Sequence, residues 1–375
     1  MDTSNLSRRS FLKVPAAAAA LAGVAPVLLS AQSPSDSVQV AFIGVGTRGS
    51  FLVPTLLKVP GVKVAAICDL IPERAQKSVD VATAAGNRPT AYLDYRKMLD
   101  EHKEIDAVVI ATPVDTHKTI SIATLQAGKH VYCEKPMALN PEECRAMLNA
   151  AKSAKGIFQA GYQLRHDPAR RAAMDFIHTG GLGDVLFLQG YRHTGDLPRE
   201  VDWYFDRSRS GDIIVEQACH ILDLMTWAVG QHPLRAMGSG GINLYKNVPP
   251  GRTAMDNYSV IYEFPGDVRL SFSHIFFDPS GFSGIKERVY GSKGAIDLPT
   301  ATWSELGKKG AIKLDVPDAG QADTYLSLAA FIDNARNHRT PLNSAESART
   351  STLMAILGRK AIYEKRIVGW EEVDV

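Results

Sequence analysis
The sequence predicts an α/β protein whose first half is a doubly wound parallel sheet, and three observations carry that expectation. Short apolar strands alternate with helix-like runs, a glycine-rich turn follows the first strand at once, and a carboxylate ends the second. Alternation of this kind builds a parallel sheet, because each crossover helix must return over one face. With 375 residues the chain is long enough for two domains with separate cores, and its 45% hydrophobic and 22% charged content is that of a globular protein. Lys and Arg total 42 against 40 Asp and Glu, a net charge of +2. Such a balance gives no extended field for capturing phosphates, so no nucleic-acid partner is expected.

At the N-terminus, Ser7-Arg8-Arg9-Ser10-Phe11-Leu12-Lys13 runs into an alanine-rich apolar stretch from Val14 to about Leu29, ending in small residues at Ser30-Ala31. Residues 1–31 look like a twin-arginine signal peptide. The apolar run is short for a bilayer span, so the membrane is expected to be met only transiently and the mature protein to be periplasmic or otherwise exported. An uncleaved anchor is the alternative. The four cysteines, Cys68, Cys133, Cys144 and Cys219, form no C-x-x-C pair and read as core thiols rather than disulfides. The twin-arginine route carries folded proteins, often with a cofactor already bound, so an exported chain of this kind does not need cysteine staples.

Residues 37–160 read as a nucleotide-binding domain. Val38 to Ile43 is a short apolar strand, followed by Gly44-Val45-Gly46-Thr47-Arg48-Gly49 and a helix-like run through Leu57. Gly44 permits the tight turn, Gly46 lets the backbone approach a pyrophosphate, and Gly49 lets helix and strand pack closely, which is the Rossmann arrangement. The helix N-terminus at Thr47 and Arg48 then offers unpaired N–H groups to the phosphates. A second strand, Val62 to Cys68, ends in Asp69, twenty positions after Gly49, where a carboxylate would accept bonds from the ribose hydroxyls and repel a 2′-phosphate. NAD is therefore expected. Arg74 leaves NADP open, since an arginine there can pair with a 2′-phosphate, although it can equally be a solvated helix charge. A strand at Ile105 to Ala111, a helix at Thr116 to Ala127 and a strand at His130 to Cys133 continue the pattern. Because ligands of such sheets lie at the carboxyl ends of the strands, Thr112, Pro113, His117, Glu134 and Lys135 are placed toward the cofactor. Gln163 and Arg165, after a further strand at Gly156 to Ala160, are candidates for lining the nicotinamide side.

Taken together, Ala41-Phe42-Ile43-Gly44-Val45-Gly46, Ile67-Cys68-Asp69, Ala111-Thr112-Pro113 with His117, Gly128 to Glu134-Lys135-Pro136, and His220 with Asp223 resemble the glucose–fructose oxidoreductase / inositol dehydrogenase / MocA family. The resemblance implies that residues 161–375 form a second α/β domain with an open, mostly antiparallel sheet that covers the nicotinamide and serves as a homo-oligomer interface. Strand-like runs at Val185 to Tyr191, Tyr258 to Phe264 and Val268 to Phe276, with a turn at Pro265-Gly266-Asp267, agree with it. Helix-like runs from Tyr325 to about Asn337 and from Glu346 to Tyr363 would close the structure.

The resemblance also implies that Lys135 lies beside the nicotinamide and the reacting carbinol of a sugar or polyol. Burial and a nearby positive ring are expected to lower its pKa toward the range of acid–base work. Glu134 is expected to position rather than react. Glu216, His220 and Asp223 sit four and three apart on an expected helix from Ile213 to Val229, which would align them on one face. His220 is then a substrate contact or general acid–base partner, and Asp223 orients it or meets substrate. Many relatives carry aspartate where this chain has Glu216. The same face could hold a divalent ion, but no further ligands cluster nearby and no metal is expected. Arg192 and His193 can reach sugar hydroxyls from a strand end, while Trp203 and Tyr204 can stack on a sugar or simply fill core.

The leading expectation is hydride transfer, with His220 or Lys135 taking the hydroxyl proton. Outside the cytoplasm no NAD pool is at hand, so the cofactor would be tightly held and reset in place. That keeps open an NAD-dependent, redox-neutral glycosidase, with Glu216 as an extra acid or base. A non-catalytic dinucleotide-binding regulator is the third possibility, against which Lys135 and His220 both speak.

Overall fold
The structure is a computed structural model and describes residues 37–195 and 202–375. The expected signal peptide lies outside the described residues. Six strands form the first sheet: β1 (Val38–Ile43), β2 (Val62–Cys68), β3 (Thr90–Tyr92), β4 (Ala107–Ile110), β5 (His130–Cys133) and β6 (Phe158–Ala160). All pair in parallel, in the order β3-β2-β1-β4-β5-β6. Helices cover both faces: α1 (Thr47–Leu56), α2 (Pro72–Ala84), α3 (Tyr95–Glu101), α4 (His117–Gln126) and α5 (Pro141–Ser153). Strands sandwiched in this way have no polar face, which is why Val40, Ala41 and Phe42 are consecutive and buried. Strand order reverses between β1 and β4, and the crevice opens above their carboxyl ends, where Gly44 and Thr112 meet.

Helix α6 (Pro168–His178) leads to a second, mixed sheet, built on the central strand β7 (Val185–His193). After α7 (Arg207–Ser210), α8 (Ile213–Glu216) and α9 (Cys219–Val229) come β8 (Arg235–Gly241), β9 (Asn257–Glu263), β10 (Arg269–Ile275), β11 (Gly284–Gly291), β12 (Gly294–Asp297), β13 (Thr302–Glu305) and β14 (Ile312–Lys313). With β15 (Val368–Gly369) the order is β14-β13-β12-β11-β7-β10-β9-β8-β15, and only β7 with β10 is a parallel pair. Alternation sorts the faces. Leu188, Val260, Tyr262, Leu270 and Phe272 point to the core, and Gly190 lets Phe272 and Ile221 approach, since a Cβ there would lie 2.9 Å from Phe272.

The two C-terminal helices part company. Helix α11 (Ala345–Glu364) packs under the second sheet. Helix α10 (Asp323–Asn337) returns to the first domain, where Leu328, Phe331 and Ile332 join the core of Val40, Phe42, Leu52 and Tyr132. The first domain is thus completed by a segment placed by sequence in the second, and Phe331 meets Tyr132 edge-on at 5.6 Å. All four cysteines are buried free thiols. No helix among the described residues is long and apolar enough to cross a membrane.

Candidate active site
The turn after β1 is built for close approach. Gly44 has φ +84°, and a Cβ on it would lie 2.6 Å from Thr112 Cγ2. A Cβ on Gly49 would lie 2.1 Å from the Gly44 carbonyl oxygen, so both positions require glycine. Gly46 differs, since a Cβ there would meet only Arg74 Nη1, at 3.6 Å. Its outer side is open, and Arg74 overhangs it. Helix α1 starts at Thr47 with no side-chain cap and no acid in its first turn, leaving its first N–H groups for an anion. Asp69 fastens this turn to β2: Oδ2 accepts the Val45 N–H at 2.8 Å and Oδ1 the Ile71 N–H at 2.9 Å. A carboxylate has lone pairs to spare for ribose hydroxyls beyond these two bonds. Open glycine, uncapped helix and half-buried Asp69 fit a dinucleotide.

From α1, Arg48 Nε donates to Glu134 Oε1 at 2.8 Å, while its Nη2 is buried without a partner. Burial lowers the Arg48 pKa, but Glu134 more than offsets this and the net shift is upward. Glu134 also accepts the Lys135 N–H, at 3.3 Å, and a Cβ on Gly161 would lie 2.8 Å from its carboxylate. Its carboxylate thus ties Arg48 to the backbone that carries Lys135. The Thr112 and Pro113 turn is held by Thr116, whose Oγ1 lies 2.7 Å from both Thr112 Oγ1 and the Pro113 carbonyl. His117 corrects an expectation. Its ring is buried between two carbonyl oxygens, Pro136 at 2.9 Å from Nδ1 and Thr112 at 3.0 Å from Nε2, so it ties two loops together rather than touching cofactor.

At the centre, Lys135 Nζ donates to Glu216 Oε1 at 2.7 Å and to the Glu216 carbonyl at 2.6 Å. This overturns two expectations. Burial does work to lower the Lys135 pKa, but the Glu216 carboxylate and its hydrogen bond outweigh it, so the pKa is raised and the lysine is an ammonium. The expected helix from Ile213 to Val229 is broken after Glu216. The carbonyl that an unbroken helix would spend on the His220 N–H instead accepts from Lys135 and, at 3.4 Å, from Cys219 Sγ.

His220 presents the complementary state. Its Nδ1 is buried without a partner, its ring meets Tyr162 edge-on at 6.3 Å, and its pKa lies well below the ordinary value. Burial is the main cause, followed by the Lys135, Arg192, Arg48 and Arg170 charges. A neutral imidazole therefore stands beside an ammonium.

Three other expectations fail at this site. Arg165 does not face a ligand, because it forms a buried fork with Asp223, Nε to Oδ2 at 2.8 Å and Nη2 to Oδ1 at 2.7 Å, with Ser351 Oγ donating to Oδ1 at 2.6 Å. Asp223 accordingly neither orients His220 nor meets substrate. His193 points to the outer face of the second sheet, stacked on Tyr191 with centroids 4.4 Å apart and its Nε2 2.9 Å from Ser273 Oγ. Adjacent strand residues face opposite ways, so His193 and Arg192 could not both line one site. Arg192 takes the inner face, with Nε buried and unpartnered. Gln163 Oε1 is likewise buried and unpartnered.

Sequence reasoning missed Gln217, and it left Tyr204 between stacking on a sugar and filling core. Both have a buried oxygen without a partner, and Glu216 and Arg192 act on the Tyr204 hydroxyl. A buried polar atom left unpaired costs about 1–3 kcal/mol, so this gathering near Lys135 and His220 points to a polar ligand. Gln217 sits in the helix break, a feature with no local sequence signal. Among the described residues no group of three or more His, Cys, Asp or Glu could hold a metal ion.

Comparison with known proteins agrees with this arrangement. Residues 38–162 match a family described as "Oxidoreductase family, NAD-binding Rossmann fold", and residues 170–297 match the "GFO/IDH/MocA C-terminal domain". The chain is 28% identical over 335 residues to inositol 2-dehydrogenase/D-chiro-inositol 3-dehydrogenase of Lactiplantibacillus plantarum, covering 87% of this chain and 91% of that one. Over 203 residues it is 30% identical to glycosyl hydrolase family 109 protein 1 of Phocaeicola vulgatus, covering 50% of this chain and 43% of that one. The fold overlays on levoglucosan dehydrogenase in complex with NADH and levoglucosan with a TM-score of 0.77, at 20% identity, over 89% of this chain and 99% of that one. With both halves matched in order, the chain belongs to the GFO/IDH/MocA family of oxidoreductases, and its first domain is an NAD-binding Rossmann domain.

Proposed function
We propose that this protein oxidises a carbinol of a cyclic polyol or sugar, with NAD held over the turn of Gly44, Gly46 and Gly49. The observation that carries this reading is the pairing of a neutral, unpartnered His220 with an ammonium at Lys135. Bound NAD supplies the carbon that accepts the hydride. Lys135 donates a hydrogen bond to the carbinol oxygen and stabilises the charge that grows there as the proton leaves. His220 takes that proton, so Lys135 need not give up its own. Glu216 holds Lys135 in place, and Gln163, Gln217 and Tyr204 offer bonds to the other hydroxyls. The inositol and levoglucosan dehydrogenases among the similar proteins support the substrate class. The test is NADH formation by the purified protein with inositols and pyranoses. His220→Ala that still turned over at the parent rate would refute the assignment.

The sequence Ser7 to Lys13 supports export through the twin-arginine route, and export in turn supports a cofactor that stays bound. A strain lacking that translocase would retain the precursor in the cytoplasm, and mass spectrometry of the native protein would show NAD co-purifying. The family 109 glycosyl hydrolase relative favours a redox-neutral second reading, which release of aglycone from a chromogenic glycoside without NADH accumulation would establish. The outer face of the second sheet, with Phe187 38% and Ile261 42% exposed, supports packing against a second copy.

A further inference from the structure
Four cations around the candidate site are each matched by a carboxylate. Arg48 is matched by Glu134, Lys135 by Glu216, Arg165 by Asp223 and Arg170 by Glu287. Arg192 has no such partner among the described residues, and its Nε is buried without any hydrogen bond. It stands on the inner face of β7, and the registers of the flanking strands identify its neighbours as His274 on β10 and Ile285 on β11.

Among the described residues no carboxylate is free for Arg192: Glu287, the next inward residue of β11, is already forked to Arg170, and Glu216 is bonded to Lys135. The Arg192 cation acts on His274 and on His220, and with burial as the larger cause it holds both rings neutral. Tyr204 is kept protonated by burial and by Glu216, and its hydroxyl is unpartnered. Ile285, the register partner of Arg192 on β11, is apolar and 46% exposed. Among the described residues, then, this half-buried guanidinium meets two neutral imidazoles, a phenol and an isoleucine but no carboxylate of its own, and a charge so placed costs free energy until an anion arrives.

We propose that Arg192 recognises a carboxylate on the substrate, so that the polyol or sugar oxidised here is a sugar acid. This rests on the oxidation reading for the reacting carbon, but it concerns a separate group of the substrate. The planar guanidinium matches a carboxylate in a two-bond fork, where a neutral hydroxyl accepts only single bonds. One cation without other basic help suits a single negative charge better than the near-double charge of a phosphate ester.

The test uses the NADH-loaded protein and calorimetry with matched pairs, D-glucuronate against D-glucose and D-galacturonate against D-galactose. The uronates are expected to bind at least about tenfold more tightly than the parent sugars, and Arg192→Gln to remove most of that preference. NADH affinity, measured on the same variant, reports that it is folded. Equal affinities for acid and parent sugar, no binding of either, or an equal loss of both in Arg192→Gln would overturn the proposal, as would tighter binding of D-glucose 6-phosphate than of D-glucuronate. Turnover separates the two readings. A uronate that binds through Arg192 without forming NADH sinks the oxidation reading alone, whereas oxidation of neutral polyols, with uronates neither bound nor oxidised any better than they are, sinks the carboxylate subsite alone.

Discussion

Lys135 Nζ reaches from the end of the first sheet to two atoms of Glu216, Oε1 at 2.7 Å and the carbonyl oxygen at 2.6 Å, and so bolts the two domains together at the candidate site. The carboxylate raises the lysine pKa while the helix break supplies a second acceptor. Glu216→Gln removes the charge and keeps the shape. The Lys135 pKa is then expected to fall, bringing the alkaline limb of the kcat profile to lower pH, with kcat down about 100-fold. Glu216→Asp should retain the charge but, one methylene shorter, lose part of the contact. A pH–rate series on the three proteins checks this, and an unmoved alkaline limb in Glu216→Gln would count against it.

With His220 as the proposed base, the acid limb is the second test. Its pKa is held well below the ordinary value by burial and then by the Lys135, Arg192, Arg48 and Arg170 charges. The base form is the neutral ring, so a lowered pKa extends activity toward acid: the acid limb of kcat/KM is expected below pH ~6.5, the ordinary histidine value. His220→Ala should lower kcat by about 10²–10⁴-fold and abolish that limb. Arg192→Gln, by removing one of the opposing charges, should move it upward.

The first sheet was legible because its signals are local. β1, β2 and β5 fall where the apolar runs place them, and the glycine turn and Asp69 declare themselves by spacing. The site was legible in its residue types but not in their pairings. Lys135 and Glu216 are 81 positions apart, Arg165 and Asp223 58, and nothing local tells which charges neutralise each other. The same limit hid α10, whose apolar stripe reads alike whichever domain it covers, and the break after Glu216, whose freed carbonyl accepts a hydrogen bond from a distant lysine. His193 was a misreading of phase: strand alternation, once β7 is extended to residue 193, sends it outward.

His117 offers a pH test of stability. Both ring nitrogens face carbonyl oxygens, and only the imidazolium can donate to both. Burial works against that charge, but the neighbouring Cys133 sulfur and the two carbonyls outweigh it and push the pKa up to about 9. The folded value lies above the unfolded value of about 6.5, so the stabilisation is fully present below pH ~6.5 and is lost as pH rises through about 9. Melting temperatures of the parent and His117→Gln, taken across that window, should differ most at the acid end and converge at the alkaline end. A difference independent of pH would show that the ring is neutral.

Gly44 and Gly46 separate folding from cofactor binding within one turn. At Gly44 the backbone has φ +84° and an added methyl would stand 2.6 Å from Thr112 Cγ2 and 2.8 Å from its backbone nitrogen, with Ala111 beyond. Strain of this kind costs on the order of 1–3 kcal/mol before the clash is counted, so Gly44→Ala should lower the melting temperature sharply or fail to fold. At Gly46 φ is −66° and the nearest atom to an added methyl is the end of the flexible Arg74 side chain, at 3.6 Å. Gly46→Ala should therefore melt close to the parent. Its methyl would nevertheless occupy the open side of the turn, where the pyrophosphate must come within hydrogen-bond reach of the N–H groups at the start of α1. Fluorescence titration with NADH should then show affinity reduced by about tenfold or more in a folded protein, the loss of one or two charge-assisted bonds. Parental NADH affinity in Gly46→Ala would mean that the phosphates do not lie over this turn.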